Sequence, residues 1–222
     1  MTFGPFSTVT YTVNGASFDM VRLPPGRFVE GEGPTRRELL VSGPFQLGLT
    51  LVTQALWRAV TGSSPANFNG EDRPVEQVSH DDVQAFLARL PALGFTGFRL
   101  PTEAEWAWAA RCGAPTRWAG ADRVKSVAVA AGSRTEPIAG LNPGPAGIFD
   151  QSGNVWEWAA DWYQALPVPG IDPRGPASGS FRVFRGGSWD GVPRYARVAF
   201  RDSDSPGFRC SALGVRLLRT AP

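Results

Sequence analysis

Residues 7–30 alternate β-branched or aromatic side chains with polar ones on either side of Asn14 and Gly15, the residue pair that best suits a tight hairpin turn. This period of two predicts antiparallel strands at the start of the chain. The stretch PFQLGLTLVT predicts a further strand leading to Thr53, which can cap a helix over QALWRAVTG with Gly62 ending it. After the loop SSPANFNGEDRPVEQV, Ser79 and Asp82 have capping-box spacing before HDDVQAFLARL, and Pro91 stops that helix. A third helix is expected within RLPTEAEWAWAAR, opened by Thr102 and Glu105. Residues 113–141 read as irregular, and 167–180 as a Pro/Gly-rich loop. FRVFRGG and LGVRLLR read as terminal strands. Helices early, short strands at both ends and long loops between them predict an α+β fold that closes by pairing its first and last strands.

Composition sharpens this picture. With 42% hydrophobic residues and eight Trp, 222 residues can bury one sizeable core, and 26 Gly with 20 Pro require many turns. The net charge of +2 comes from scattered arginines, Lys125 being the single lysine, so no nucleic-acid-binding stripe is expected. No stretch approaches a membrane span or a signal peptide, and the expected location of the chain as given is the cytoplasm. Cys112 and Cys210 are too few for a disulfide scaffold.

The candidate chemistry is sparse. His80 is the single histidine, which removes His-based metal clusters and a Ser-His-Asp triad and leaves it a structural or solvent-facing role. Glu103 and Glu105 sit where carboxylates cap a helix. Asp150, Glu157 and Asp161 lie among aromatic rings and offer hard oxygen ligands of the kind calcium takes. The alternative for Glu157 is an ion pair with an arginine beneath the rings. Cys210 lacks an evident activating partner.

Three long motifs, GFRLPTEAEWAWAAR, AGIFDQSGNVWEWAADWY and RVFRGGSW, with PPGRFVEGEG, PFQLGLTLVTQALW and RPVEQVSHDDVQAFL before them, resemble the formylglycine-generating-enzyme superfamily over almost the whole chain. The resemblance implies a loop-rich fold of C-type-lectin type, spanning 1–222 as a single domain. In the sulfatase-activating members two cysteines bind copper after the Gly-Gly-Ser-aromatic motif. The aligned residues here are Gly191 and Ala196, so no copper chemistry is expected. A branch that holds iron through histidines fares no better in a chain with one histidine. The family's calcium position maps onto Asp150, Glu157 and the backbone oxygens of Gly153 and Val155, all compatible with Ca²⁺.

The tail resembles the variable proteins of diversity-generating retroelements, whose framework is matched by Arg185, Gly186, Gly187, Ser188, Trp189, Arg194, Arg197, Ala199, Arg201, Pro206, Arg209, Gly214 and Arg216. In such systems template Asn codons are rewritten at two bases, which cannot yield Lys, Glu, Gln, Met or Trp. None of these five occurs after Trp189. The resemblance implies a non-enzymatic binder whose region 182–216 displays variable positions Asp190, Gly191, Val192, Tyr195, Phe200, Asp202, Asp204, Phe208, Cys210, Ser211 and Ala212 to a protein target. Tyr195, Phe200 and Phe208 are the expected anchors. The alternatives are an oxidoreductase using Cys210 and an inactive sensor or scaffold domain.

Overall fold

The computed structural model describes residues 6–166 and 168–220; residues 1–5, read above for a leader, lie outside the described residues. Strands β1 (Thr8–Val13) and β2 (Ala16–Leu23) form the expected hairpin, in register from Thr8 opposite Val21 to Val13 opposite Ala16. Asn14 and Gly15 take φ of 45° and 86°, the left-handed pair that the turn requires. Strands β3 (Gly26–Glu30), β4 (Arg37–Val41) and β5 (Phe45–Gly48) follow. Helix α1 (Gln54–Thr61) starts where the Thr53 hydroxyl accepts the Leu56 N–H and ends at a left-handed Gly62. Helix α2 (His80–Arg89) carries the Ser79–Asp82 box, and α3 (Glu103–Arg111) the Thr102–Glu105 box after the short β6 (Phe98–Arg99). The remaining strands are β7 (Ala128–Val129), β8 (Ser152–Gly153), β9 (Trp156–Trp162), β10 (Gly170–Ile171), β11 (Arg182–Arg185), β12 (Arg201–Asp204), β13 (Leu213–Gly214) and β14 (Leu218–Thr220).

The order of the largest sheet, β1-β2-β5-β14-β6, corrects the expected closure. First and last strands share a sheet but are not partners, because β5 is buried at all four positions and takes the centre, whereas the Thr-rich β1 is mostly exposed and suits an edge. A second sheet runs β10-β4-β3 and a third β12-β11-β9-β13; β7 pairs with β8. Strand β12 lies inside the tail, between the two terminal strands expected from the sequence. Its sequence RDSD has no apolar alternation, and pairing with β11, from Arg182 opposite Asp204 to Arg185 opposite Arg201, holds it extended.

Two apolar clusters support these layers. One packs α1 and α2 through Trp57, Phe86 and Val83 onto Trp158 and Leu213, with Trp57 and Phe86 stacked at 4.7 Å. The other surrounds α3, whose Ala104, Trp106, Ala107, Trp108, Ala109 and Ala110 are all buried, as a helix enclosed on most sides must be. Among the described residues no helix is long and apolar enough to cross a membrane.

Candidate functional site

The third sheet has two unlike faces, and that difference builds the site. Along β9, Trp156 and Trp158 share one face and Glu157 takes the other, so Phe184 and Asp202 on the neighbouring strands join the tryptophans while Arg185 and Arg201 join Glu157. The arginine face is turned inward. Arg185, 1% exposed, donates to Glu30 and Glu103 at 2.6 Å each, and Arg201 donates to both oxygens of Glu103 at 2.7 and 2.8 Å. Burial works to raise the Glu103 carboxyl, but Arg185 and Arg201 outweigh it and hold it below the usual range. Glu105 caps the helix as read, whereas Glu103 ties the tail to α3.

The other framework arginines are used similarly. Arg216 grips Glu157, Arg209 grips Asp82 at 2.6 and 2.8 Å, and Arg197 meets Glu32 at 2.9 Å. Arg194 instead lies over the Tyr195 ring, 4.7 Å from its centroid. Trp189 is pinned in place: its N–H donates to the Asn154 carbonyl, its carbonyl accepts the Gly132 N–H, its indole donates to the Ser211 carbonyl, and the Phe68 ring meets it edge-on.

From Trp189 onward the chain turns outward. Asp190, Val192, Asp202 and Phe208 are exposed; Gly191, Tyr195, Phe200, Asp204, Cys210 and Ser211 are half-buried. Tyr195 and Phe200 lie 4.8 Å apart and both lean on Trp156, at 6.4 and 6.0 Å, forming an aromatic ledge. Beside it Asp190 accepts from the Ser188 hydroxyl, while Asp202 and Asp204 accept from the N–H of the residue that follows each. None of these three carboxylates makes an ion pair among the described residues. Ala212 corrects the sequence reading: it is 5% exposed and its carbonyl accepts the Trp156 N–H, so it belongs to the scaffold. Trp156 was missed as a surface residue. Its alternation with Glu157 was the available signal, but Trp158 on the same face is fully buried, so which ring would reach the surface depended on what packs over that face.

A family model described as the sulfatase-modifying factor enzyme 1-like domain matches residues 5–221. The chain belongs to that family. Its members include the formylglycine-generating enzyme of Thermomonospora curvata, 33% identical over 195 residues that cover 72% of this chain and 62% of that protein. The Streptomyces coelicolor enzyme of the same name is 34% identical, with 72% and 59% covered; the chain thus spans about three-fifths of these relatives. Among solved structures, Treponema denticola variable protein 1 is similar with a TM-score of 0.89 and 33% identity, over 96% of this chain and 99% of that one. PvdO from Pseudomonas aeruginosa shares the fold, with a TM-score of 0.79 at 24% identity over 91% and 94%. The architecture is therefore the loop-rich α+β fold of this family.

At the calcium position that the resemblance implies, the two carboxylate donors already have partners within the protein. The Glu157 carboxylate, 0% exposed, accepts from Arg216 at 2.8 and 2.9 Å and from the Trp106 indole at 2.7 Å. Arg216 is also fully buried and donates to the Gly48 and Phe149 carbonyls. Asp150 accepts the Ala139 N–H, and burial pushes its carboxyl up. A dication beside Glu157 would face a guanidinium already seated there, so Asp150, Gly153, Val155 and Glu157 do not fit Ca²⁺ in this arrangement. A chelator is expected to leave the melting temperature unchanged. A drop of several degrees that added calcium reverses would place a cation on these residues instead.

Cys112 and Cys210 are both free thiols. Burial, with the carboxylates of Asp190, Glu76 and Asp204 nearby, pushes the Cys210 thiol up, the opposite of what a nucleophile needs. Ala196 is 1% exposed, and the Gly191 carbonyl accepts the Ala131 N–H. His80 is structural: it is buried edge-on to Trp158, and burial together with Arg182 lowers its pKa to about 4.

Glu76 is a buried acid that the sequence did not single out. It is 0% exposed, with one oxygen accepting the Phe68 N–H at 2.7 Å and the other without a hydrogen-bond partner among the described residues. Burial raises its carboxyl above the ordinary range against the opposing pull of the Phe68 and Asn67 N–H groups. A raised folded-state value means that this residue's contribution is fully present below the unfolded pKa and is lost as pH rises through the folded one. Glu76→Gln is therefore expected to melt higher than the wild type at neutral pH, with the gap closing below the ordinary carboxylate range. A gap that widens on acidification would show the sign to be wrong.

Proposed function

We propose that this family member is a non-enzymatic binding protein that displays the surface around Asp190, Gly191, Val192, Tyr195, Phe200, Asp202, Asp204, Phe208, Cys210 and Ser211 to a protein target, and that those positions vary between copies of the gene. One observation carries the reading. Framework and displayed residues separate in space: five of the six framework arginines named above are spent on carboxylates of other elements, and the positions between them face outward around the Tyr195–Phe200–Trp156 ledge. Rigid rings give contact area at low entropy cost, and the flanking aspartates supply adjustable polarity. The likeness to Treponema denticola variable protein 1 supports the same reading.

Sequencing the 3′ end of the gene and its flanks in several isolates tests it. Variation confined to these codons, at adenines of a nearby near-identical repeat beside a reverse-transcriptase gene, is expected. A constant tail without a repeat would refute it. At the protein level, exchanging Asp190, Val192, Asp202 and Phe208 together is expected to shift stability by no more than about 1 kcal/mol, as exposed positions allow. Diversified libraries at these sites should then yield binders to new targets. Tyr195→Ala or Phe200→Ala should cost more, roughly 0.5–1.5 kcal/mol beyond the lost area, because each ring packs on Trp156.

The 33% identity to enzymes named as formylglycine-generating favours a second reading, an oxidase. It is tested by oxygen uptake with a thiol peptide and copper, and Cys210→Ser should abolish that uptake if this reading holds.

A further inference from the structure

Bordering the displayed loop, which contributes Arg197, a groove of about 680 Å³ runs between β3 with its following turn and residues 111–117. That volume lies within the range of ligand clefts, roughly 300–1,000 Å³. Five guanidinium groups line it, from Arg27, Arg36, Arg111, Arg117 and Arg197, against the single carboxylate of Glu32. The net charge of the whole chain is only +2, so this is a local concentration of charge. Arg111 is committed to Glu30 and Arg197 to Glu32, while Arg27 reaches Glu38 only at 3.6 Å with both side chains exposed. Arg36 and Arg117 are exposed and make no ion pair among the described residues.

The wall itself is informative. Strand β3 is the edge of the sheet β10-β4-β3, and beyond its ladder with β4 its residues make no backbone hydrogen bond among the described residues. An edge strand left open in this way presents N–H and C=O groups to any chain that lies alongside it. Phe28 and Glu30 point inward; Arg27 and Val29 share the exposed face, two residues apart. An added strand would therefore set an acidic side chain opposite Arg27 and an apolar one opposite Val29, with further acids reaching Arg36 and Arg117.

We infer that this groove binds an acidic polypeptide segment, which adds in extended form to the free edge of β3 and carries an acidic residue two places from an apolar one. Backbone pairing accounts for the edge, and the unspent arginines account for the charge. A bare phosphate uses only the second feature. The inference does not depend on the variability of the displayed face.

The test is fluorescence anisotropy on the intact chain with a labelled peptide, Thr-Glu-Thr-Val-Thr-Glu-Thr, and its Lys-for-Glu counterpart. Saturable binding of the acidic peptide alone is expected, weakening with salt. The double variant R36E/R117E should lose about tenfold or more in affinity, equivalent to about 1.4 kcal/mol. Both side chains are exposed, so its melting temperature should match the wild type. Phe208→Ala should bind the peptide normally. Methylating every second peptide nitrogen should abolish binding in one of the two phases. The inference is overturned if the acidic peptide does not bind at millimolar concentration, if charge reversal leaves binding intact, if both methylation phases leave it intact, or if a single-stranded oligonucleotide binds the same arginines more tightly.

Discussion

Arg185→Ala is expected to destabilise the protein by about 3–5 kcal/mol, the range for removing one partner of a buried ion pair. The Arg185 side chain is 1% exposed and sits between Glu30, 2% exposed, and Glu103, so its loss leaves two interior carboxylates short of a counter-charge. It also donates to the Val198 carbonyl, tying β11 to the loop that presents the aromatic ledge. Arg111 still meets Glu30 and Arg201 still meets Glu103, which keeps the loss within this range rather than beyond it. The wild type should itself weaken in acid, because Glu103 is held low: that contribution is present above its unfolded pKa and is lost as pH falls through the folded value. In Arg185→Ala the acid dependence should flatten. Urea unfolding of both proteins across pH measures this, and a loss under about 1 kcal/mol at neutral pH would mean that the pair is structurally idle.

Gly187→Ala is the second large effect, and it acts through backbone geometry alone. Gly187 has φ of +74°, and a Cβ there would fall 2.7 Å from the Ala196 nitrogen and 2.9 Å from the Tyr195 carbonyl carbon. The left-handed conformation alone costs about 1–2 kcal/mol in a residue with a Cβ. The close contact is with backbone, which cannot swing aside as a flexible side chain would, so the total should reach roughly 3 kcal/mol or more. The strain falls on the loop carrying Tyr195, and amide exchange over residues 190–200 should accelerate more than in α2 or β2. Unchanged exchange in that loop, or a stability within about 1 kcal/mol of the wild type, would contradict this account.

Both predictions bear on the displayed surface. A tail whose outward positions are to be replaced freely cannot rely on those positions for its own folding. Here its order comes from guanidinium–carboxylate pairs, two left-handed glycines and a pinned tryptophan, which precede, interrupt or follow the exchanged residues in sequence and are not themselves exchanged. The half-buried Tyr195 and Phe200 are the places where display and packing overlap, so replacements there should carry the largest stability cost of the exposed set.

The sequence by itself determined the local elements. The Asn14-Gly15 hairpin and the capped starts of α1, α2 and α3 were legible because each depends on a few neighbouring residues with strong conformational preferences. The motifs likewise carried the family and the placement of the tail's framework. Tertiary structure alone decided which partners those residues meet. That Glu103 serves Arg185 and Arg201, that Glu157 serves Arg216, and that Ala212 faces inward all depend on segments 82, 98, 59 and 56 residues apart meeting in the folded chain. The short β12 and the order of the five-stranded sheet belong to the same class. Their pairing is won by burial summed over neighbours rather than by any preference of their own residues, and that sum exists only once the chain has folded.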